Sequence, residues 1–463
     1  MKKIISLLMW LLPFLAFAQQ NIYKSFPSDY MWMNVGNGGF SSGQALYTSL
    51  AFSSSDQPYV AYADGGSSLK ATVMRFDGTN WVNVGNAGFS SAEAEYTSLA
   101  FSLSDQPYVA FGDQGNSGKA TVMMFDGSNW VNVGTAGFSA GMIESVSLAF
   151  NPSGQPYVAF GDQGNYGYAT VMMFDGSNWV NIGNTGFSAG AVASVSLAFN
   201  PSDSQPYVAY EDFGNSQKAT VMKFDGTNWV NEGTAGFSAG IAWYTSLAFS
   251  PIDNQPYVAF QDFGNNGVSV MKYNGTNWAN VGNANLLGGN ANYTSLAFSP
   301  SGEPYVAYED LSSFPEGKAT VINYNGVTWS TVGSSGFSAG EVNYTSIAFS
   351  STEYEPYVAY EDFVNSQKAT VMKYDFAPAG INERKLSFMS IYPNPSVDKI
   401  TVETSGISGV SNMTIANIEG LQFISCQITK PKTKLDISGL PDGVYFVRLT
   451  NDQNVEVEKI VKQ

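Results

Sequence analysis

Seven aspartates close seven near-identical segments of the chain: Asp64, Asp113, Asp162, Asp212, Asp262, Asp310 and Asp362. The segment reads PYVAYED at Pro206–Asp212, Pro304–Asp310 and Pro356–Asp362, with close variants beginning at Pro58, Pro107, Pro156 and Pro256. Carboxylates grouped with carbonyl and amide oxygens suit a hard cation such as calcium. Glu211, Glu309 and Glu361 add charge beside three of the seven. An aspartate at a strand end followed by Gly-Asn is also what a turn needs, because its side chain accepts backbone N–H bonds. A single active centre has no use for seven copies of one residue, so turn formation is the first expectation. A calcium site is the second; EF-hand spacing is missing and no other cofactor is expected.

Other chemistry is removed by composition. The 463 residues contain no histidine and one cysteine, Cys426, which excludes a Ser-His-Asp or Cys-His nucleophile, a histidine or thiolate metal cluster and any internal disulfide. Apolar residues make up 44% and aromatics 14%, enough for a large packed core and against disorder.

The elements that position the aspartates follow from the tryptophans. Trp32, Trp81, Trp130, Trp179, Trp229, Trp278 and Trp329 are spaced 49, 49, 49, 50, 49 and 51 residues apart. Repeats of that length are propeller blades or helical arrays, and the units are too rich in Val, Thr, Tyr and Phe, and too often broken by Gly, Asn and Pro, to be helical. One unit reads as four strands: YTSLAFS, QPYVAFGD, KATVMMF and NWVNVG. The middle strands are apolar on both faces, as strands are when both faces of their sheet are covered. The final KATVMKY, from Lys368, has no NWVNVG after it, whereas YMWMNVG at Tyr30–Gly36 precedes the first YTSLAFS. Seven four-stranded blades therefore balance only if the N-terminal strand completes the last one. This predicts an all-β chain with a seven-bladed β-propeller over 21–378, closed by an N-terminal strand. WD-repeat and kelch signatures are absent. The DGTNW turn is a little similar to the Asp-box of sialidase-type propellers, but the propeller holds one arginine, Arg75, where such a site needs a cluster.

At the N-terminus Lys2 and Lys3 precede an apolar run, Ile4 to Phe14, and Ala16-Phe17-Ala18 supplies the small residues that signal peptidase reads. Residues 1–18 are expected to be a signal peptide. No later stretch is long and apolar enough to span a bilayer, so no transmembrane segment is expected in the mature chain.

Composition changes after the linker expected at 379–387. Residues 21–383 hold 30 acidic and 10 basic side chains, residues 384–463 hold 8 and 9. Short alternating strands in 388–463 (KITVET, SNMTIANI, GVYFVRL, VEVEKIVK) predict a small Ig-like β-sandwich. IYPNPSVDKITVE at Ile391–Glu403, LDISGLPDGVYFVRL at Leu435–Leu449 and the closing EKIVKQ resemble the type A sorting domain of the Bacteroidetes type IX secretion system. The residues that carry the resemblance are Tyr392, Pro393, Asn394, Pro395, Gly443 and Tyr445. It implies the secretion machinery as partner, and a location outside the cell or on the outer-membrane surface of a Gram-negative bacterium after signal peptide cleavage.

Loops after the second and fourth strands of a propeller blade open on one face. That face is expected to carry Phe40, Phe89, Phe138, Phe187, Phe237 and Phe337, beside Tyr47, Tyr96, Tyr244, Tyr293 and Tyr344, with Trp243 occurring once. Phe237, Trp243 and Tyr244 are the expected ligand contacts, because aromatic anchors dominate interfaces. The conserved-position tryptophans are expected in the core. Noncatalytic binding of a glycan or protein ranks first; the alternatives are a glycan-cleaving enzyme using paired carboxylates and a structural surface component. Catalysis needs residues outside the repeat, and Glu93, Glu95, Glu144, Glu232, Trp243 and the Leu286–Asn290 stretch are the candidates. The acidic balance disfavours nucleic acid and anionic membrane as partners.

Overall fold

The computed structural model describes residues 30–283, 286, 291–313, 317–376, 389–404, 411–417, 421–450 and 455–463. The expected signal peptide and linker, and Leu287 to Asn290, lie outside the described residues. The chain divides into two units, Met1–Ala377 and Pro378–Gln463.

The first unit contains seven four-stranded antiparallel sheets. In the first blade the strands are Ala45–Phe52, Pro58–Asp64, Lys70–Phe76 and Trp81–Asn83, hydrogen-bonded in sequence order. The last blade is completed from the other end of the chain: Tyr30–Asn34 pairs antiparallel with Lys368–Phe376, Trp32 opposite Tyr374. The edge that Lys368–Phe376 would otherwise expose is thereby covered. First strands of successive blades pack on one another and surround the axis.

Each strand type has a reason to sit where it does. Second strands carry the apolar residues on both faces, and Val60, Ala61, Tyr62 and Ala63 are fully buried between neighbouring blades. Proline opens each of them, where no ladder N–H is required. Fourth strands are short, and each contributes its tryptophan to the seam with the preceding blade. The indole Nε1 of Trp81 donates to the Val35 carbonyl at 2.7 Å, and the same bond recurs at Trp130, Trp179, Trp229, Trp278 and Trp329. The seventh, from Trp32 to the Val332 carbonyl at 2.8 Å, joins residues 300 positions apart and closes the ring.

Aromatic packing reinforces every seam. Phe40 stacks on Trp81 with centroids 4.3 Å apart, and the pairs Phe89–Trp130, Phe138–Trp179, Phe187–Trp229, Phe237–Trp278 and Phe337–Trp32 repeat it at 4.0–4.4 Å. One face of each of these phenylalanines is thus turned onto a buried indole, and each ring remains partly exposed. At the Trp329 seam Leu286 occupies the corresponding place in the core. Gly36, four residues before Phe40, has a φ of 70°, and an added Cβ there would come 2.9 Å from the Phe76 ring. A second aromatic seam lies at the opposite strand ends, with edge-to-face pairs such as Tyr59–Phe101 at 5.0 Å, closed by Phe52–Tyr357 at the same distance.

The second unit is a small β-sandwich. A three-stranded sheet (Met389–Tyr392, Lys399–Thr404, Lys432–Asp436) and a four-stranded sheet (Gln422–Ile428, Ser411–Asn417, Gly443–Thr450, Val455–Lys462) share one core around Ile400, Val402, Met413, Ile415, Val447 and Ile460.

Trp32→Phe removes the indole N–H bonded to the Val332 carbonyl and part of the ring stacked on Phe337, and the lost hydrogen bond alone is expected to cost about 1–3 kcal/mol. Removing residues 21–36 should cost more, because it also strips a whole strand. Thermal melting of both variants checks this. A truncated chain that melts like the parent would refute the ring closure.

Candidate functional site

The seven aspartates are held inside the fold. Six are buried and Asp310 is partly so. Each is followed by a turn and accepts that turn's backbone N–H two residues on, for example Gly66 to Asp64 at 2.9 Å, Gly214 to Asp212 at 3.0 Å and Ser312 to Asp310 at 2.9 Å. The second carboxylate oxygen is taken by side chains: Asp212 accepts from Asn215 Nδ2 at 2.7 Å and from Thr220 Oγ1 at 2.8 Å. Thr220 Oγ1 in turn accepts the Gly236 N–H at 2.9 Å, so the aspartate anchors the long connection that brings the chain to the next blade. Asp162, Asp262 and Asp362 bind Asn165, Asn265 and Asn365 in the same way, and Asp113 binds Asn116. Among the described residues no group of three or more acidic or thiol side chains is placed to hold a metal ion.

The chemistry that is not repeated gathers nearer the axis, at the end of the channel where second strands finish. Each first strand bulges one residue in, and the bulged residue has positive φ: Tyr47, Tyr96, Ser145, Ser194, Tyr244, Tyr293 and Tyr344, at 51–57°. Left-handed backbone in non-glycine residues is sparsely populated, and here the neighbouring blade holds it in place. The Thr48 hydroxyl donates to the Tyr344 carbonyl and Thr97 to Tyr47, and the Leu50 N–H donates to Ser346 Oγ at 3.0 Å. Five rings form an unbroken arc, Tyr96–Tyr47–Tyr344–Tyr293–Tyr244, with successive centroids 4.8–5.0 Å apart. Ser145 and Ser194 leave the arc open on one side.

Carboxylates border the arc. Glu95 and Glu144 immediately precede bulged residues, as do Trp243, Asn292 and Asn343. Directly across the strand pair stand Gly112, Gly161, Gln261, Glu309 and Glu361 respectively. Glu361 accepts from Asn343 at 3.0 Å and from Gln44 of the neighbouring blade at 2.9 Å; Glu309 accepts from Asn292 at 2.8 Å, and Glu211 from Gln217 at 2.9 Å. Burial pushes the Glu309 carboxyl up to about 7, against the Asn292 hydrogen bond and with help from Glu341. Burial likewise raises Glu361 and Glu211. The hydroxyls of Tyr47 and Tyr293 are raised by burial, by neighbouring tyrosines and by nearby glutamates, and Tyr344 is pushed up to about 12.

Of the expected ligand contacts, Trp243 and Tyr244 are together at this rim and Phe237 is in the seam below Trp278. Trp243 is 38% exposed and meets Phe263, also 38% exposed, edge-to-face at 4.6 Å, with Phe213 exposed on the preceding blade. Of the unique glutamates, Glu93, Glu95 and Glu144 are at the arc, whereas Glu232 is paired with Lys223 at 2.7 Å on the outer strands. Gln261, Phe213, Phe263, Asn292 and Asn343 were not singled out by sequence. Their signal was present in the columns where the repeats disagree: Leu, Glu, Glu, Ala, Trp, Asn, Asn before the bulge, Ala, Gly, Gly, Glu, Gln, Glu, Glu before the aspartate, and Gly, Gln, Gln, Phe, Phe, Leu, Phe after it.

In the second unit the sorting-motif residues tie the start of the sandwich to its last strand. Asn394 Nδ2 donates to the Lys459 carbonyl at 2.7 Å and its Oδ1 accepts the Val461 N–H at 2.8 Å. Buried Tyr445 donates its hydroxyl to the Pro441 carbonyl at 2.8 Å. Tyr392 is half-exposed and bonds Glu403 at 2.6 Å. Pro393 and Pro395 frame Asn394, and Gly443 opens the strand that carries Tyr445.

Comparison with known proteins places these units. Residues 390–463 match the model of the secretion system C-terminal sorting domain family. This region belongs to that family, so the chain carries the address of a type IX secretion cargo, secreted or displayed at the surface of a Bacteroidetes cell. Among curated proteins, karilysin of Tannerella forsythia is 28% identical over 97 residues, 19% of this chain and 21% of karilysin. The chain thus spans about a fifth of the length of the curated relative it matches. Among solved structures, the BP39L lectin of Burkholderia pseudomallei aligns with a TM-score of 0.54 at 16% identity, over 73% of this chain and 97% of the lectin. An ulvan lyase aligns at 0.49 and 10% identity over 75% and 96%, and the SapL1 lectin at 0.44 and 14% over 63% and 97%. The first of these supports the propeller fold; none transfers a residue or a ligand. Among the described residues no helix is long and apolar enough to cross a membrane.

Two outcomes are expected. Glu309 has its carboxyl raised from 4.5 in the unfolded chain to about 7 in the fold, so its contribution is fully present below about 4.5 and is lost as pH rises through about 7. Denaturant unfolding at pH 5 and pH 8 should show a smaller pH-dependent loss for Glu309→Gln than for the parent; equal slopes would contradict the burial of that carboxyl. Deleting residues 384–463 should stop export, leaving the propeller inside the outer membrane, and fractionation with immunoblotting reads this directly.

Proposed function

We propose that the exported propeller is a noncatalytic glycan-binding protein and that the glycan is received at the aspartate end of the channel. The observation that carries this reading is the break in sevenfold symmetry at one blade: Trp243 stands exposed against Phe263, with Gln261 directly opposite on the next strand. Sugars present CH-rich faces that stack on exposed rings and hydroxyls that donate to carboxylate and amide oxygens, and this rim offers both. Exposed large aromatics are otherwise costly to leave in water, and a cluster of them marks an interaction site.

Binding is favoured over cleavage by how the carboxylates are engaged. Glu211, Glu309 and Glu361 each hold an amide side chain of their own or the adjacent blade, which is a positioning arrangement. Glycoside hydrolysis needs an acid and a second carboxylate facing the same bond. The lectin whose fold this propeller shares is consistent with a binding role without locating one.

A glycan array probed with the secreted protein should return positive features, and Trp243→Ala should weaken the best of them by roughly tenfold or more with little change in melting temperature. An array without signal, together with polysaccharide hydrolysis abolished by Glu95→Gln or Glu144→Gln, would replace this reading with an enzyme.

A further inference from the structure

The tyrosine arc is not needed to close the ring. Ser145 and Ser194 adopt the same left-handed backbone, at φ of 53° and 51°, and their hydroxyls carry the seam in their own way, Ser145 Oγ accepting the Val195 N–H at 3.1 Å and Ser194 Oγ accepting the Tyr244 N–H at 3.0 Å. Two blades therefore do without a ring at this position. The five that have one place their rings in continuous contact, inclined to one another by 45–52°, and each of the five remains partly exposed.

Charge around the arc is one-sided. Glu93, Glu95 and Glu144 surround its Tyr47–Tyr96 end, and Glu309 and Glu361 its Tyr293–Tyr344 stretch. None of these five takes part in an ion pair among the described residues; every pair found there lies on the outer strands, the opposite loops or the second unit. Tyrosine faces and carboxylates in one place attract the same kind of ligand group. A ring quadrupole is negative on its face and favours an organic cation, most strongly where water is displaced, and the Glu95 and Glu144 carboxylates, which have no cationic side chain paired with them among the described residues, add to that field.

We propose that the arc is a cation subsite, and that the glycan it receives carries protonated amines, as in an amino-sugar polymer lacking its N-acetyl groups. This deepens the glycan-binding reading and rests on it. The amine sits among Tyr47, Tyr96 and Tyr344 with Glu95 and Glu144 as counter-charges, and the open side of the arc at Ser145 and Ser194 leaves room for the rest of the sugar. The adjoining Trp243–Phe263 pair stacks a neighbouring residue of the chain.

The test is calorimetric titration of the full secreted protein with a glucosamine oligomer and with the N-acetylglucosamine oligomer of equal length, at a pH that keeps the amine protonated. The amine oligomer should bind tighter by roughly three- to thirtyfold, the preference should shrink as salt is raised, and tetramethylammonium should compete. Tyr344→Leu should lose most of the preference and Tyr344→Phe, which keeps the ring face, should rescue it; a purely structural tyrosine would not separate the two. The double change Glu95→Gln with Glu144→Gln tests the counter-charges independently if Tyr344→Leu melts early. Equal affinity for the two oligomers would overturn the cation subsite while leaving glycan binding in place. Binding of neither oligomer, with neutral glycans bound on the array, would overturn it too, and an array without any signal would remove both readings.

Discussion

One bond sets the geometry of the propeller: the indole N–H of a fourth-strand tryptophan donating to a backbone carbonyl of the preceding blade, at 2.6–2.8 Å in all seven seams. A buried indole must find an acceptor or lose the worth of a hydrogen bond. The nearest acceptor is supplied by the next sheet and not by its own, so each blade fixes the distance and pitch of its neighbour. The near-constant 49-residue spacing follows, because an insertion that moved the indole would leave both partners unpaired. The rule holds at the junction of first and last blades, where Trp32 reaches Val332 and the N-terminal strand becomes part of the seventh sheet.

A second repeated device, the strand-end aspartate, connects that frame to the rim. By accepting from its own turn and from a threonine or serine of the third strand, it fixes the connection leading to the next blade and hence the place where the next first strand begins. Repeated residues therefore bear on architecture. The positions that vary, just before the bulge and just before the aspartate, are left to differ without disturbing the seams, and that is where tyrosine, tryptophan, glutamate and amide side chains accumulate around the axis. A frame built from seven copies can thus carry one site that is not sevenfold.

The two units divide the labour of an exported protein. The sandwich encloses a core of its own, with Asn394 stapling the YPNP segment to the terminal strand. The acidic propeller and the nearly balanced tail differ in charge, residues 21–383 holding 30 acidic and 10 basic side chains and residues 384–463 holding 8 and 9.

The sequence by itself determined the four strands of each blade, the seven blades, the permuted closure and the sorting tail, because each rests on local pattern: alternation, turn chemistry, the Trp spacing and short contiguous motifs. It also separated turn-making aspartates from unusual positions such as Trp243 and Glu144. It did not show that the loop phenylalanines stack on the seam tryptophans, and it passed over three strands of the tail, Met389–Tyr392, Gln422–Ile428 and Lys432–Asp436, whose polar or short runs hide the alternation. Only the tertiary structure decided that Phe237 stacks on Trp278 while Tyr244 joins an arc with Tyr293 and Tyr344, and that Gln44 meets Glu361 across 317 residues. Those contacts lie between blades, where side chains roughly fifty residues apart or at opposite ends of the chain become neighbours, and no pattern within one repeat specifies which of them face the seam and which face the axis.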